Sequence, residues 1–390
     1  DIDVPVRVMN TLSHPIKLTA GSVISDLEAV EICECDPAVD DTGEAVTTDD
    51  PILVDMVNRV DESVSGADKR KLMSLLTEFS STFSRGENDL GRTDVVTHTI
   101  DTGDGKPVRQ SLRRHPPAHL DAIHHHVTSM LEQGVIEPAR SPWASNIVLV
   151  KKKDGTLRCC IDYRSVNSLT RKDAYPLPRT DMCLDAMSGA RWFSTFDLRS
   201  SYHQVVMDEK DADKTAFICR EGQFRFRTMP FGLCNAGATF QRLMDIIMSG
   251  LTFEVCLTYL DDVITYSDSI SGHFERLRLV LERLKSAGLK LKPSKCNLLQ
   301  TSVEFLGHVV SGEGISVNDD KIRDVINWPV PVSVKETRGY LGLCGYYRRF
   351  VKGFSEIAAP LYALTEKNRP FMWTEKCQQS FDTLKEFLTT

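Results

Sequence analysis

The chain has 390 residues, of which 41% are hydrophobic and 26% charged, and its formal net charge is −7. This composition is ordinary for a folded protein of two or three domains. No apolar run reaches the length of a membrane span and no signal peptide is evident, so we expect a soluble intracellular protein with no membrane partner. The eleven cysteines follow no zinc or disulfide spacing, which favours reduced thiols.

The charge is divided unevenly along the chain. Residues 1–104 contain 22 acidic and 8 basic side chains, whereas the remainder contains 32 acidic and 39 basic ones. An acidic arm therefore precedes a mildly basic body. A basic surface can bind the phosphate backbone of a nucleic acid, although the excess here is small for the length.

The first hundred residues predict little regular structure. Residues 1–60 mix short strand-like pieces with acidic stretches, which indicates a small β-element followed by a poorly ordered linker. Apolar spacing predicts a helix over 69–83. Residues 84–118 are rich in glycine, proline and charge, and we expect an extended connector there.

Two Asp-Thr-Gly triplets, which begin at Asp41 and Asp101, resemble the catalytic loop of aspartic proteases. Each is followed by an acidic residue, Glu44 or Asp104, that would repel a catalytic carboxylate. Neither triplet lies in an evident β-domain. An aspartic protease is therefore the weaker of the alternatives that the residues leave open.

The next region predicts a helix followed by a hairpin. Residues 120–133 form an amphipathic helical pattern that ends at Gly134. Strands at 146–150 and 158–163 then flank a lysine-rich turn. Lys152 and Arg158 could hold a triphosphate, because cationic side chains pair with phosphate oxygens. A solvated basic loop explains this hairpin equally well.

Three aspartates occupy unusual positions. Residues 191–198 predict a buried strand that contains Asp197, and a carboxylate there is costly unless it is paired or metal-bound. Asp261 and Asp262 lie between β-prone residues, which predicts a hairpin with both acids at its tip. Adjacent carboxylates repel unless a cation faces them. A solvated turn is the plain alternative for this pair.

The remaining patterns alternate strands and helices and then become helical. The predicted strands are 216–219, 224–226, 289–291, 303–310 and 371–373, and the predicted helices are 236–248, 273–287, several within 319–365, and one from residue 375. This order indicates an α+β sheet that resembles a split βαβ unit.

Seven sequence motifs make the pattern specific. In chain order they are Lys151 to Asn167 (KKKDGTLRCCIDYRSVN), Phe196 to Leu198 (FDL), Tyr202 to Gln204 (YHQ), Met229 to Asn235 (MPFGLCN), Tyr259 to Asp262 (YLDD), Phe305 to His308 (FLGH) and Tyr346 to Phe350 (YYRRF). Together they resemble the reverse transcriptase region of gypsy-type LTR retrotransposon Pol polyproteins, from about residue 68 to 390.

The resemblance implies a right-hand polymerase of class α+β, with fingers, a palm built on a ferredoxin-like split βαβ sheet, and a thumb, preceded by the acidic N-terminal arm. The implied segments are a post-protease β-element and acidic linker at 1–67, a helix and connector at 68–118, fingers and palm at 119–318, the thumb at 319–365, and the start of a connection towards an absent RNase H domain at 366–390.

The resemblance also assigns roles to residues. The implied metal-binding catalytic triad is Asp197, Asp261 and Asp262, with Asp262 the least direct ligand; the implied dNTP contacts are Lys152, Arg158, Tyr202, Phe231 and Gly232; and the implied primer grip is Phe305, Leu306, Gly307 and His308. Tyr202 would exclude a 2′-hydroxyl as a steric gate. Two residues depart from the family pattern: Ser201 replaces a usual Gly or Ala, and Gly237 replaces a common Pro.

The implied activity is RNA-directed, and also DNA-templated, DNA synthesis. Two Mg²⁺ ions about 3.5–4 Å apart would activate the primer 3′-hydroxyl and stabilise the pyrophosphate, with Mn²⁺ as an alternative metal. The expected partners are an RNA template, a DNA primer/template, dNTPs and the protease, RNase H and integrase segments of Pol. The expected location is a cytoplasmic virus-like particle with nuclear access. The alternative is an inactive, domesticated Pol relic that binds nucleic acid or assembles with partners.

Overall fold

A computed structural model describes residues 50–151, 155 and 157–389, and these residues belong to one compact unit. The β-element predicted within 1–60 and the dNTP contact predicted at Lys152 lie outside the described residues. The helices are α1 Pro51–Asn58, α2 Gly66–Glu78, α3 Pro117–Glu132, α4 Arg164–Leu169, α5 Thr180–Ala186, α6 Glu209–Ala212, α7 Ala236–Ile247, α8 Ile270–Ser286, α9 Asp319–Ile326, α10 Val334–Tyr346, α11 Phe354–Ala363 and α12 Glu375–Thr389. The strands are β1 Thr93–His98, β2 Ile136–Pro138, β3 Ser145–Lys151, β4 Leu157–Ile161, β5 Trp192–Asp197, β6 Val205–Met207, β7 Phe217–Cys219, β8 Gly222–Phe226, β9 Cys256–Tyr259, β10 Asp262–Ser267, β11 Asn297–Gln300, β12 Ser302–Phe305, β13 His308–Ser311 and β14 Gly314–Val317.

The central sheet has the strand order β11-β5-β10-β9, and all its neighbours are antiparallel. Successive side chains of a strand point to opposite faces, and β10 follows this rule. Val263 packs in the cluster formed with α7 and α8, whereas Ile264 packs with α5 and β12 on the other face. Apolar layers on both faces hold this sheet rigidly, which matters because its end carries the three aspartates.

A five-stranded sheet with the order β2-β8-β7-β3-β4 forms the region predicted as fingers. Helix α3 buries Ile123 and Val127 against it, beside Phe217 of β7. The helix ends as expected before Gly134, which adopts a left-handed conformation (φ 63°). Strands β3 and β4 pair antiparallel, so the hairpin predicted around Arg158 is confirmed.

Helices α9 to α12 surround a separate hydrophobic cluster that includes Tyr340, Leu361 and Phe381. Phe381 belongs to α12, so the helix predicted from residue 375 shares its core with the helices predicted as the thumb. The three-stranded sheet β12-β13-β14 lies between this cluster and the central sheet in the chain. Among the described helices, none is long and apolar enough to cross a membrane.

Two predictions for the N-terminal part need correction. Residues 51–58 form helix α1 instead of a linker: Asp50 caps it by accepting the N–H of Ile52 (3.1 Å), and Leu53 and Met56 are buried in the core. The residues predicted as an extended connector include β1, which pairs in parallel with β6. Both elements depend on partners that lie far along the chain, so local composition gave no sign of them.

Three predicted strands also differ. Residues 289–291 make only isolated bridges through Leu291, and the strand added to the sheet is β11 at Asn297–Gln300. Residues 303–310 form a hairpin, because Leu306 (φ 47°) and Gly307 (φ 69°) reverse the chain. Residues 371–373 form no strand; there, the indole N–H of Trp373 donates to the side chain of Gln378 (2.9 Å).

Candidate active site

The three predicted catalytic aspartates lie at one end of the central sheet. Strands β9 and β10 are joined by only Leu260 and Asp261, so Asp261 stands at the tip of a tight hairpin. Asp262, the first residue of β10, lies directly opposite Asp197, the last residue of β5. The structure therefore brings the strand acid next to the hairpin pair, as the sequence predicts.

The charges at this sheet end are only partly compensated. Partial burial, together with the like charges of Asp261 and Asp197, raises the pKa of Asp262 above its usual value, while nearby Lys295 opposes that shift. The ammonium group of Lys295 forms an ion pair with Asp197 (Nζ–Oδ2 3.0 Å). The buried hydroxyl of Ser201 donates to Oδ2 of Asp261 across 3.2 Å. Two of the three acids thus have a partner that sequence reasoning did not identify.

The hairpin tip is supported from behind by Gln241, a fully buried side chain of α7. Its Oε1 accepts the backbone N–H of Leu260 (2.7 Å), and its Nε2 donates to Asp245 (2.9 Å). Leu260 is left-handed (φ 53°), which costs a non-glycine residue roughly 1–2 kcal/mol. The sequence held one signal for Gln241, namely a glutamine within the apolar pattern of α7, three residues before buried Met244.

The residues predicted to contact dNTPs form a stacked row beside the aspartates. The rings of Tyr202 and Phe231 stack with centroids 5.0 Å apart, and the guanidinium carbon of Arg158 lies 5.3 Å from the Phe231 centroid. Gly232 is left-handed (φ 96°), and its carbonyl accepts from Asn167 (2.8 Å). The four predicted dNTP contacts that the structure describes, Arg158, Tyr202, Phe231 and Gly232, therefore lie close to one another.

The predicted primer grip is the tip of the β12–β13 hairpin, where Phe305 pairs with His308. Two tyrosines at the C-terminal end of α10 hydrogen-bond to this tip. The hydroxyl of Tyr346 donates to the carbonyl of Leu306 (2.7 Å), and the hydroxyl of Tyr347 donates to the carbonyl of Gly307 (2.9 Å). The four residues predicted as the primer grip thus lie together, and they contact the end of a helix in the region predicted as the thumb.

The donor chemistry of the site fits a hard divalent cation. Mg²⁺ prefers oxygen ligands and is usually held by one or two carboxylates, with water and substrate phosphates completing its shell. Asp197, Asp261 and Asp262 supply only carboxylate oxygens. Within the described residues, however, no three His, Cys, Asp or Glu side chains already stand in position to hold an ion. The Asp197 carboxylate is directed to Lys295 instead.

Comparison with known proteins identifies the family. The family model for reverse transcriptase (RNA-dependent DNA polymerase) matches residues 150–310, an interval that contains the three aspartates, Arg158 and Tyr202. Residues 150–310 of this chain belong to the reverse transcriptase family. The resemblance stated from the sequence motifs is confirmed.

Its relatives include retrotransposon polyproteins. The retrovirus-related Pol polyprotein of transposon 297 from Drosophila melanogaster is 36% identical over 325 residues, which cover 82% of this chain and 31% of that protein. The Pol polyprotein of transposon gypsy from the same organism is 32% identical over 339 residues, covering 83% of this chain and 33% of the relative. This reverse transcriptase therefore spans about a third of the length of these relatives.

Solved viral reverse transcriptases share the fold. The foamy viral protease-reverse transcriptase in complex with double-stranded DNA matches with a TM-score of 0.77 at 25% identity, over 87% of this chain and 59% of that one. The same viral protein with an RNA/DNA hybrid matches with a TM-score of 0.74 at 25% identity, over 86% and 45% of the two chains. The predicted right-hand polymerase fold is confirmed, the matched family model is that of RNA-dependent DNA polymerases, and divalent-metal dependence is general in this family.

Proposed function

We propose that this chain extends a primer 3′-hydroxyl with dNTPs on RNA and DNA templates, using Asp197, Asp261 and Asp262 as its metal-binding carboxylates. The observation that carries the proposal is the pairing of Asp262 with Asp197 across β10 and β5, with Asp261 at the adjoining hairpin tip. Three acids at one sheet end repel one another. The raised pKa of Asp262 reflects that repulsion, together with partial burial.

The carboxylates would hold two divalent cations, most simply Mg²⁺. Such ions, when bound, supply charge neutralisation and a more acidic primer hydroxyl in phosphoryl transfer. The chain itself must orient the acids, and it does so through three contacts: Gln241 supports the turn at Leu260, Ser201 donates to Asp261, and β-pairing fixes Asp262.

The stacked row would receive the incoming nucleotide. Arg158 is free of any ion pair with a described carboxylate, so its guanidinium is available for phosphate oxygens. Tyr202 is held between Phe231 and Phe240 (centroid distances 5.0 and 5.6 Å). A ring fixed in this way resists displacement by a 2′-hydroxyl, which distinguishes ribonucleotides from deoxynucleotides. Lys152 remains a predicted phosphate contact.

The wider setting is also a proposal. The relatives are Pol polyproteins, and the viral neighbours were solved with double-stranded DNA and with an RNA/DNA hybrid. We infer that this chain likewise binds a primer/template duplex, with the hairpin of Phe305 to His308 against the primer. Protease, RNase H and integrase segments would be its partners in a polyprotein, within a virus-like particle.

Primer extension tests the proposal. The full chain with Mg²⁺ should extend a labelled DNA primer on an RNA template and on a DNA template of the same sequence. Asp197→Asn and Asp261→Asn remove a charge at constant volume and should each abolish extension, whereas Asp324→Asn on α9 is a control for loss of an exposed aspartate. Extension that survives in Asp261→Asn would contradict the two-metal assignment. A wild-type chain that folds and binds duplex but extends nothing would favour the relic alternative.

A further inference from the structure

A short helical turn at Pro293–Lys295 carries a lysine to the catalytic end of the sheet. Nζ of Lys295 lies 3.0 Å from Oδ2 of Asp197. The side chains are 58% and 31% exposed, so this ion pair resembles many surface pairs in strength. Its location sets it apart, because Asp197 belongs to the carboxylate triad and faces Asp262.

The backbone around this turn is fixed on two sides. On the sheet side, the N–H of Lys292 donates to the carbonyl of Asp197 (2.8 Å). On the opposite side, Arg59 donates through Nη1 to the carbonyl of Cys296 (3.0 Å) and through Nη2 to that of Pro293 (2.6 Å). The planar guanidinium thus bridges the two ends of the turn, an arrangement that the single ammonium of a lysine cannot reproduce.

Arg59 is itself firmly anchored, although it lies outside the 150–310 match to the family model. Its Nε donates to Asp55 (3.0 Å), and its carbonyl accepts from Gln300 (2.8 Å). The neighbouring Asp61 N–H donates to the carbonyl of Leu299 (3.2 Å). The end of α1 therefore packs against β11, an edge strand of the central sheet, and against the turn that precedes β11.

We propose that Lys295 is a counter-ion of the carboxylate triad in the metal-free protein and that its ammonium group releases Asp197 when a divalent cation binds. Arg59 is the positioning residue that holds Lys295 beside Asp197. The proposal rests on the proposed function, because it assumes that Asp197 is a metal ligand. The ion pair explains why the three carboxylates are not already arranged around one metal position, because the Asp197 carboxylate is directed to the ammonium group of Lys295. Lys295 thereby lowers the affinity of the free protein for metal, since two cations compete for one carboxylate.

Metal binding without nucleotide is the direct test. Free Mn²⁺ would be titrated with the full chain and followed by its electron paramagnetic resonance signal. Lys295→Gln removes the charge and leaves a polar side chain that is one atom shorter, so Mn²⁺ affinity should rise roughly two- to fivefold, the range expected from a surface ion pair. Lys295→Arg keeps the charge and should bind Mn²⁺ no more tightly than the wild type.

Lys292→Gln is the matched control. It removes the same charge three residues away, where the side chain has no ion-pair partner among the described residues. Salt screens a charge that is not in contact, so this variant should change Mn²⁺ affinity much less. An unchanged affinity in Lys295→Gln, or an equal gain in Lys292→Gln, would overturn the counter-ion role.

The positioning role of Arg59 is tested by a double-mutant cycle. Arg59→Gln should raise Mn²⁺ affinity in the same direction as Lys295→Gln, and the double variant should gain nothing beyond Lys295→Gln alone. Loss of packing by itself would lower the melting temperature without raising metal affinity. Fully additive gains would overturn the link between the two residues.

Failure of this inference is separable from failure of the proposed function. If Asp197→Asn and Asp261→Asn abolish Mn²⁺ binding while Lys295→Gln has no effect, the metal site stands and the counter-ion does not. If the two aspartate variants bind Mn²⁺ as the wild type does, the metal site itself is wrong and the counter-ion role falls with it.

Discussion

Oε1 of Gln241 accepts the backbone N–H of Leu260 across 2.7 Å, which joins the middle of helix α7 to the tip of the β9–β10 hairpin. The same amide donates to Asp245, whose other oxygen accepts the hydroxyl of Tyr175 (2.7 Å). A partly buried hydrogen-bond network of this kind restricts its members to one arrangement. The position of Asp261, next to Leu260, therefore depends on a side chain from another element.

Replacing Gln241 should impair both folding and catalysis. Gln241→Leu leaves the partly buried N–H of Leu260 without this acceptor, and we expect a loss of about 1–3 kcal/mol in the free energy of unfolding. Gln241→Glu keeps an acceptor for the N–H of Leu260, so its loss of kcat should be smaller than that of the leucine variant. It still loses some activity, because its carboxylate lies beside Asp245. Urea unfolding and single-nucleotide extension measure the two effects. Equal stability of Gln241→Leu and wild type would contradict the support role.

Ser201 should contribute to the rate through its contact with Asp261. Ser201→Ala removes the hydroxyl that donates across 3.2 Å, while methyl-sized bulk remains in the buried position. We expect kcat to fall roughly two- to tenfold, as for loss of one hydrogen bond to a charged group at the long end of the distance range. The KM for dNTP should change less, because Ser201 contacts the proposed metal ligand Asp261 and not the substrate. Steady-state extension separates the two parameters, and an effect on KM alone would contradict this role.

Tyr202 should control discrimination between sugars. Tyr202→Ala removes the ring that stacks on Phe231, and incorporation of ribonucleotides relative to deoxynucleotides should rise by at least tenfold, a steric difference of about 1.4 kcal/mol. Tyr202→Phe preserves the ring and serves as the control, with discrimination close to wild type. Competitive incorporation of GTP and dGTP opposite template cytosine measures the ratio. An unchanged ratio in Tyr202→Ala would remove the steric-gate assignment.

Asp262 should destabilise the metal-free protein at neutral pH. Its pKa is raised in the folded state, so the folded protein binds this proton more readily than the unfolded chain does. Stability then decreases as pH rises from the ordinary aspartate pKa, about 3.8, through the raised folded value. Asp262→Asn removes the charge and should be more stable than the wild type at pH 7, with the difference shrinking towards pH 3. Urea unfolding across this range, with chelator present, checks the sign; a less stable Asp262→Asn at pH 7 would contradict it.

Much of the architecture around the site was predictable because its signals are local. The tight hairpin at Leu260 and Asp261 follows from β-prone residues on both sides of a short polar turn. Helices α3 and α7 follow from apolar spacing, and α3 ends where glycine permits a left-handed residue at position 134. The motifs added the identity of the family, which spacing alone could not supply.

The elements that were missed share a physical cause. Strand β11 has no clear alternation, with burial at both Leu298 and Leu299, and its pairing with β5 is irregular. Helix α1 is short, and isolated helices of that length are marginal until tertiary packing covers their apolar face. Its Leu53 and Met56 find that cover in the core that α1 shares with α2 and with residues of the central sheet.

The sequence by itself determined the family, the predicted residues of the site and most elements around them. Hairpin turns, helical periodicity and motifs each depend on residues that lie close together in the chain. Tertiary structure decided which other side chains contact and position those residues. Lys295 and Asp197 are 98 residues apart in the chain, and Arg59 and Cys296 are 237 apart. Contacts over such separations arise from how sheets and helices pack, a property of the whole chain that no local pattern records.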